Sequence, residues 1–151
     1  MIQHIDVHAV LQESVSGVYA DLVTRPTGRV VRERIERAMA AAQDPVTVAR
    51  IDFTGVGCID YSCADEIVAK LLRDRRAVVV LSGISDGHRE AIEPVLAGHG
   101  LAALIERRDG GGAGELEALG APEAAAALLQ DLVARRLAVR TSAGTIALTL
   151  A

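Results

Sequence analysis

Six consecutive residues, Cys58 to Cys63, carry two thiols, two hydroxyl groups and a carboxylate. Ser62 lies where an apolar helical pattern begins, and Asp65 follows three residues later. This spacing resembles a capping box, in which a serine hydroxyl accepts a backbone N–H at the helix start. A phosphate on the same hydroxyl would face the unpaired N–H groups and the positive end of the helix dipole. Ser62 is therefore a candidate both for a helix cap and for a phosphorylation site.

Three carboxylates lie close to this serine in the sequence. Asp60, Asp65 and Glu66 would repel a phosphate group on Ser62 because like charges disfavour each other at short range. We therefore expect phosphorylation to leave the fold intact and to change the surface that the turn presents to a partner.

The other reactive side chains form no recognisable site. A zinc site normally needs a second ligand pair beyond the C-x4-C spacing of Cys58 and Cys63, so small buried or turn cysteines are the simpler interpretation. A helix N-terminus would favour the thiolate of Cys63, but no motif ties a histidine to it. The segment Gly55-Val56-Gly57 lacks the third glycine of a dinucleotide fingerprint. The sequence therefore predicts no metal, no cofactor and no catalysis. The four histidines are His4, His8, His88 and His99.

The elements that position this turn are a buried strand and an amphipathic helix, both within the stretch from Val46 to Arg73. The strand prediction rests on β-branched and aromatic residues bounded by Asp44-Pro45 and by the glycines after Thr54. From Ala64 onward, apolar residues recur at the spacing of one helical face, and charged residues take the other. The apolar helical positions are Ala64, Ile67, Val68, Leu71 and Leu72.

The run from Ile51 to Val56, followed by Ile59-Asp60-Tyr61-Ser62 and an amphipathic helix, resembles the signature of STAS domains, the anti-sigma factor antagonist family. The resemblance extends from the N-terminus through Ile105. It implies that Ser62 matches the serine phosphorylated by a partner-switching serine kinase, and that Asp60 orients this site. It also implies an anti-sigma-type protein partner. The expected partner-binding residues are Asp60, Tyr61, Ser62, Cys63, Asp65 and Glu66.

Three residues depart from the family pattern at this motif. Tyr61 stands where the family often has its first serine, Cys63 where it has glycine, and Ala64 where it has leucine. An alternative is therefore a STAS-like scaffold or ligand-binding subunit that is not phosphorylated.

The N-terminal part of the chain suggests a β-hairpin. The second half of Met1 to Ser14 is interpreted as a strand, Ser16-Gly17 as a turn, and Val18 to Thr24 as the returning strand. Thr27 is then a plausible cap for the next helix.

The middle of the chain alternates strands with helices. The apolar run Ala77 to Leu81 predicts a strand covered on both faces. A helix follows from about Gly87 to Gly98, and Leu101 to Ile105 reads as a short edge-type strand. This alternation predicts an α/β fold with a STAS-like mixed sheet, an N-terminal β-hairpin and alternating helices.

A glycine-rich segment divides the chain into a domain over residues 1–106, a linker over 107–114 and an extension over 115–151. In the extension, Pro122 to Arg135 predicts a helix, and the segments around Ser142-Ala143-Gly144 predict a hairpin. Three arginines near this hairpin suggest, as a further alternative, a winged-helix-like DNA-binding segment. Too few residues precede the helix for a full module of that kind. The arginines are Arg135, Arg136 and Arg140.

Composition limits the remaining classes of function. The formal net charge is −4, and no basic stripe dominates the chain, so nucleic acid is an unlikely partner. No apolar run approaches the roughly 20 residues of a membrane span, and the N-terminus does not resemble a signal peptide. We therefore expect a cytoplasmic protein with no membrane association. Homo-oligomerisation is left open.

Overall fold

The computed structural model describes residues 2–14, 20–42, 48–74, 77–107, 114–142 and 144–149. The strands are β1 (Ile2–Asp6), β2 (Val48–Asp52), β3 (Val78–Ser82), β4 (Ala102–Arg107), β5 (Glu115–Gly120), β6 (Ala138–Arg140) and β7 (Ile146–Leu148). The helices are α1 (Val7–Ser14), α2 (Arg25–Ala40), α3 (residues 61–74), α4 (Asp86–Gly98) and α5 (Pro122–Ala134). The seven strands form one mixed sheet in the order β1-β2-β3-β4-β5-β7-β6. The expected α/β class is therefore confirmed.

The first four strands run parallel and lie in chain order. Alternate residues of these strands, such as Ile51 and Leu81, pack with the buried residues of α1 to α4 in one core. The four helices therefore cover one face of the sheet. Because parallel strands point the same way, the loops after β1 to β4 meet at a single edge, which we call the carboxyl edge.

Helix α5 covers the opposite face. Leu132 is fully buried there in a second core with Val80 and Leu104. Strand β5 pairs antiparallel with β4, and β7 pairs with both β5 and β6. The predicted C-terminal helix and hairpin are therefore present, and β5 and β7 join them to the main sheet.

The prediction of an N-terminal β-hairpin is wrong. Strand β1 pairs in parallel with β2, and the expected second-half strand is helix α1. Asp6 begins this helix because its Oδ1 accepts the Ala9 N–H at 3.1 Å. Val7 and Leu11, one helical turn apart, are its buried residues.

The returning strand of that hairpin is also absent from the described residues. Residues 15–19 lie outside them, and Leu22 forms a single parallel bridge to Ile59. Helix α2 already begins at Arg25 with a proline in its first turn, which precedes the expected cap at Thr27. Proline is favoured there because its missing N–H would be unpaired in any case.

Strand β4 is an interior strand, and the expectation of an edge strand is wrong. It lies between β3 and β5, and its first five residues are buried. The antiparallel partner β5 covers its outer side, and it comes from beyond the glycine-rich segment. Backbone pairing therefore crosses the predicted linker, of which residues 108–113 lie outside the described part. The domain boundaries at 106 and 115 stay a prediction.

Helix α3 begins in the turn itself, and its middle section Ala64–Ala69 has π-helical hydrogen bonding. Single π-turns inside helices are frequent at functional sites. Helix α2 lies against this section through Gly28, where an added Cβ would be 3.1 Å from the Cys63 Cα. The starts of α2 and α3 are therefore in close contact.

Candidate functional site

Asp60, and not Ser62, caps helix α3. The Asp60 Oδ1 accepts the Cys63 N–H at 2.8 Å, and its backbone is extended, as a cap requires. Ser62 lies inside the first turn, and its hydroxyl donates to the same carboxylate oxygen at 2.7 Å. The expected capping role of Ser62 is therefore wrong, because an aspartate two residues earlier fills it.

The Asp60 carboxylate also contacts the segment that precedes α2. Its Oδ2 accepts the Thr24 N–H at 3.0 Å, and the Cys63 thiol donates to the Thr24 carbonyl at 3.0 Å. Thr24 has φ 69° and ψ 140°, a backbone conformation that is unfavourable for a β-branched residue. The start of α3 therefore holds Thr24 in a strained conformation.

The ionisation of Asp60 follows from these contacts. Burial alone would raise the pKa of Asp60. Hydrogen bonds from the Cys63 amide, the Ser62 hydroxyl and the Thr24 amide lower the pKa by more than burial raises it, so the pKa falls below its ordinary value. The three donors are neutral groups. Asp60 is therefore an anion at neutral pH that is stabilised by dipoles.

The two cysteines have different environments. Both are free thiols; Cys58 is exposed and Cys63 is buried. Burial, followed by the nearby Asp60 charge, raises the pKa of the Cys63 thiol to about 12. Cys63 is therefore a protonated hydrogen-bond donor and not an activated nucleophile.

The six residues predicted to meet a partner divide by exposure. Tyr61 is 64% exposed, and Asp60, Ser62 and Asp65 are half-buried. Cys63 and Glu66 are buried, so neither side chain offers a surface for direct contact. The turn thus presents Tyr61 beside a partly covered serine.

Glu66 and Asp65 belong to one ion-pair network with Arg25. The Arg25 Nη1 lies 2.8 Å from Asp65 Oδ2 and 3.0 Å from Glu66 Oε1. Lys70 Nζ also contacts Glu66 Oε1 at 2.7 Å, and Arg32 Nη2 lies 3.5 Å from Glu66 Oε2. The repulsion expected between these two carboxylates and a phosphate is therefore reduced by neighbouring cations.

These contacts hold both pKa values low. The Arg25 hydrogen bond lowers the pKa of Asp65 against the effect of burial. Burial raises the pKa of Glu66, and the hydrogen bonds from Lys70 and Arg25 lower it below the ordinary value. His99 Nε2 also lies 2.8 Å from Asp65 Oδ1. Both carboxylates are ionised at neutral pH.

His88 is a residue at this site that the sequence did not reveal. Its Nδ1 accepts the Ser85 N–H at 3.0 Å in a capping box at the start of α4. Its Nε2 therefore carries the proton and donates to the Gly57 carbonyl at 2.8 Å. The Ser85-x-x-His88 spacing gives a hint of the cap, but nothing in the sequence indicates the contact with Gly57. His88 thus ties α4 to the loop that leads to Ser62.

A cleft of about 570 Å³ opens at the carboxyl edge, where its lining includes the last residues of β2, β3 and β4. On its wall, Arg50 and Glu106 form a buried bidentate pair at 2.7 and 3.1 Å, and Arg50 Nη1 donates to His4 Nε2 at 3.0 Å. Ser82 also lines the cleft. It is 6% exposed. The volume lies in the range typical of small-molecule sites.

No family model, curated protein or solved structure matches this chain. Within the described residues, no three histidine, cysteine or carboxylate side chains come together as a metal ion would require. No helix in the described ranges has the length and apolar character needed to cross a bilayer.

Proposed function

We propose that the chain is a regulatory protein–protein interaction domain of the anti-sigma factor antagonist type, and that phosphorylation of Ser62 controls its choice of partner. The observation that carries this proposal is the hydrogen bond from the Ser62 hydroxyl to Asp60 beside the exposed Tyr61. If Ser62 capped α3, its hydroxyl would be needed to hold the start of the helix. Because Asp60 supplies the cap, Ser62 is free to serve another purpose.

The phosphorylation step would be ordinary phosphoryl transfer. A partner kinase brings a nucleoside triphosphate, and a bond forms between Ser62 Oγ and the γ-phosphorus. The bond to the bridging oxygen breaks, nucleoside diphosphate leaves, and the hydroxyl proton passes to the catalytic base of the kinase. The product carries close to two negative charges at neutral pH. That charge would lie beside Tyr61 on the surface that a partner meets.

The ion-pair network supports a switch that keeps the fold intact. Asp65 and Glu66 are already paired with Arg25 and Lys70, so a phosphate at the start of α3 meets partly neutralised carboxylates. The N-terminal end of a helix is also favourable for negative charge. The added charge would therefore act on the surface more than on the core.

The test is phosphorylation of the purified protein by its switch kinase. We expect one phosphate per chain, located by mass spectrometry on Ser62 and absent in Ser62→Ala. Ser142→Ala is the matched control, because Ser142 is an exposed serine in a turn remote in sequence from α3. A phosphate at another residue, or none, would contradict the proposal. Phosphorylated and unmodified proteins are also expected to bind different partners.

A second candidate is a ligand-binding subunit that is not phosphorylated, favoured by the cleft at the carboxyl edge. Ligands commonly bind at the carboxyl ends of parallel strands. Native mass spectrometry of protein purified from its own cells should then show a retained small molecule that is lost in Arg89→Ala, since Arg89 lines the cleft. Protein without added mass would remove this candidate.

DNA binding through a C-terminal winged-helix-like segment has less support. The residues before α5 form strand β5, so the described part of this segment contains one helix. A winged helix places a recognition helix after another helix.

A further inference from the structure

We infer that Thr24 and Asp60 form a latch between α2 and α3, which a phosphate on Ser62 opens. This inference rests on Ser62 being the phosphorylated residue. It names the part of the molecule that would change shape: the first turn of α2, which carries Arg25 and Pro26 next to Thr24.

The latch is a strained residue held by two contacts from the start of α3. Thr24 is also bonded to α2, since its carbonyl accepts the Gly28 N–H and its hydroxyl donates to Thr27 Oγ1, both at 3.2 Å. The Thr24 N–H donates to Asp60 Oδ2 at 3.0 Å, and the Thr24 carbonyl accepts the Cys63 thiol at 3.0 Å. Thr24 has φ 69°, and side chains with a branched Cβ rarely adopt positive φ. Such strain persists only while surrounding contacts enforce it. Loss of the Asp60 contact would therefore let Thr24 relax.

The trigger is the shared carboxylate. Asp60 Oδ1 accepts the Ser62 hydroxyl at 2.7 Å, and its other oxygen holds Thr24. Phosphorylation removes the hydroxyl proton from this hydrogen bond and places a dianion against an ionised carboxylate. Repulsion replaces attraction at that distance. The Asp60 carboxylate must therefore turn away from the phosphate. Its bond to the Thr24 N–H is the one that breaks, because Thr24 lies before α2, whereas Cys63 lies in the same helical turn as Asp60.

The region around Thr24 limits how far the change spreads. The preceding segment is bound to the loop before α3 by backbone hydrogen bonds, from Leu22 N–H to the Cys58 carbonyl at 2.7 Å and from Asp60 N–H to the Leu22 carbonyl at 3.0 Å. Beyond Thr24, Arg25 is partly exposed and pairs with Asp65 and Glu66. Opening the latch therefore moves Arg25 and leaves Leu22 in place.

The opened latch would alter the partner surface in two ways at once. The phosphate changes the charge beside Tyr61, and Arg25 becomes free to exchange Asp65 for a phosphate oxygen. Arginine pairs with phosphate oxygens in a bidentate geometry that is stronger than a neutral hydrogen bond. A partner that recognises the unmodified surface would then meet a different arrangement of the α2 and α3 starts.

The test uses protein carrying phosphoserine at position 62, introduced during translation so that no kinase is needed. Amide hydrogen exchange is followed residue by residue by NMR. We expect the Thr24 amide to exchange about tenfold faster or more than in unmodified protein, while the sheet amide of Ile51 is unchanged. Equal protection of Thr24 in both forms would overturn the latch. Equal acceleration of Thr24 and Ile51 would also overturn it, because it would indicate general destabilisation.

Two variants of Thr24 separate strain from simple loss of a contact. Thr24→Gly removes the penalty for positive φ, so residue 24 of that phosphoserine protein should keep its positive φ, measured from backbone chemical shifts and scalar couplings, although its amide has lost the Asp60 contact. Thr24→Ala keeps the penalty, so residue 24 should move to negative φ, as Thr24 does in the phosphoserine protein. Identical behaviour of the two variants would exclude strain as the driving force and overturn the latch.

Ser62→Ala tests whether charge is the trigger. This variant loses one hydrogen bond but adds no charge, so Asp60 keeps both backbone contacts and Thr24 stays protected. Acceleration as large as with phosphoserine would overturn the inference. Failure of any kinase to phosphorylate Ser62 would instead contradict the proposed function, and the encoded phosphoserine makes that outcome distinguishable from failure of the latch.

Discussion

Glu66 and Glu106 are both carboxylates withdrawn from solvent, and they differ in the cations that surround them. Glu106 is held by a bidentate pair with Arg50, which is itself only 3% exposed. Glu66 is 1% exposed but is shared by Arg25 and Lys70, whose side chains are 44% and 35% exposed, and by Arg32. Both members of the Arg50–Glu106 pair are buried, whereas Glu66 is buried but two of its cations, Arg25 and Lys70, are partly exposed to solvent.

This difference indicates which region can tolerate rearrangement. A buried charge that loses its partner is poorly solvated, so the loss is severe. An exposed cation that loses its partner is solvated at once. The region next to Ser62 can therefore exchange partners, while the pair on the wall of the carboxyl-edge cleft is a fixed part of the fold.

The largest effect is expected from Arg50→Met, which removes a buried guanidinium that makes two hydrogen bonds to the Glu106 carboxylate. The free energy of unfolding should fall by about 3–5 kcal/mol, measured by urea denaturation at neutral pH. The double variant Arg50→Met/Glu106→Leu should recover much of this loss, because both members of the buried charge pair are then replaced by apolar side chains. Arg135→Ala is the control, since Arg135 forms an exposed pair with Asp131, and it should cost under about 1 kcal/mol. Equal losses for Arg50→Met and the control would contradict the comparison.

A smaller loss is expected from Glu66→Gln. Glutamine keeps the size of the side chain but removes the charge that Arg25 and Lys70 share, and these cations can turn to water. We expect a decrease of about 1–3 kcal/mol in the free energy of unfolding. Lys70→Ala, which removes one exposed partner at i,i+4 spacing, should cost under about 0.5 kcal/mol. An equal loss of unfolding free energy for Glu66→Gln and Arg50→Met would contradict the view that solvation of the exposed cations limits the cost at Glu66.

The strand, turn and helix at the centre of the chain could be predicted because their signals are local. Apolar residues bounded by turn residues gave β2, and three-and-four spacing gave most of α3. The sequence pattern places the cap two residues late, at Ser62, because aspartate and serine are both good caps and periodicity does not locate a helix end to within two residues. Asp60 also accepts the Thr24 N–H, 36 residues away in the chain, a contact that no local pattern indicates.

The errors elsewhere have related causes. The sequence does not predict helix α1, because an eight-residue helix with two buried apolar residues gives a weak periodic signal. It predicts an edge position for β4 because the outer neighbour, β5, comes from beyond the glycine-rich segment. The Glu66 network and the His88–Gly57 bond join residues from different elements, and no pattern in a single sequence indicates such contacts.

A third carboxylate, Asp60, extends the comparison, because it is stabilised by neutral donors and not by cations. Asp60→Asn keeps the shape but cannot accept both backbone N–H groups, so we expect a loss of about 1 kcal/mol at neutral pH. The pKa of Asp60 is lowered in the folded protein. Its contribution is therefore complete above the unfolded pKa of about 3.9 and is lost as the pH falls through the lower folded value.

The measurement is urea denaturation of wild type and Asp60→Asn at a series of pH values from neutral to strongly acidic. The difference between the two proteins should be constant at neutral pH and should shrink below about pH 4. Asp65 and Glu66 also have lowered pKa values, but they are present in both proteins, so their effect cancels in the difference. A difference that does not change with pH would show that folding does not lower the pKa of Asp60, and that its three neutral donors do not favour the charged form.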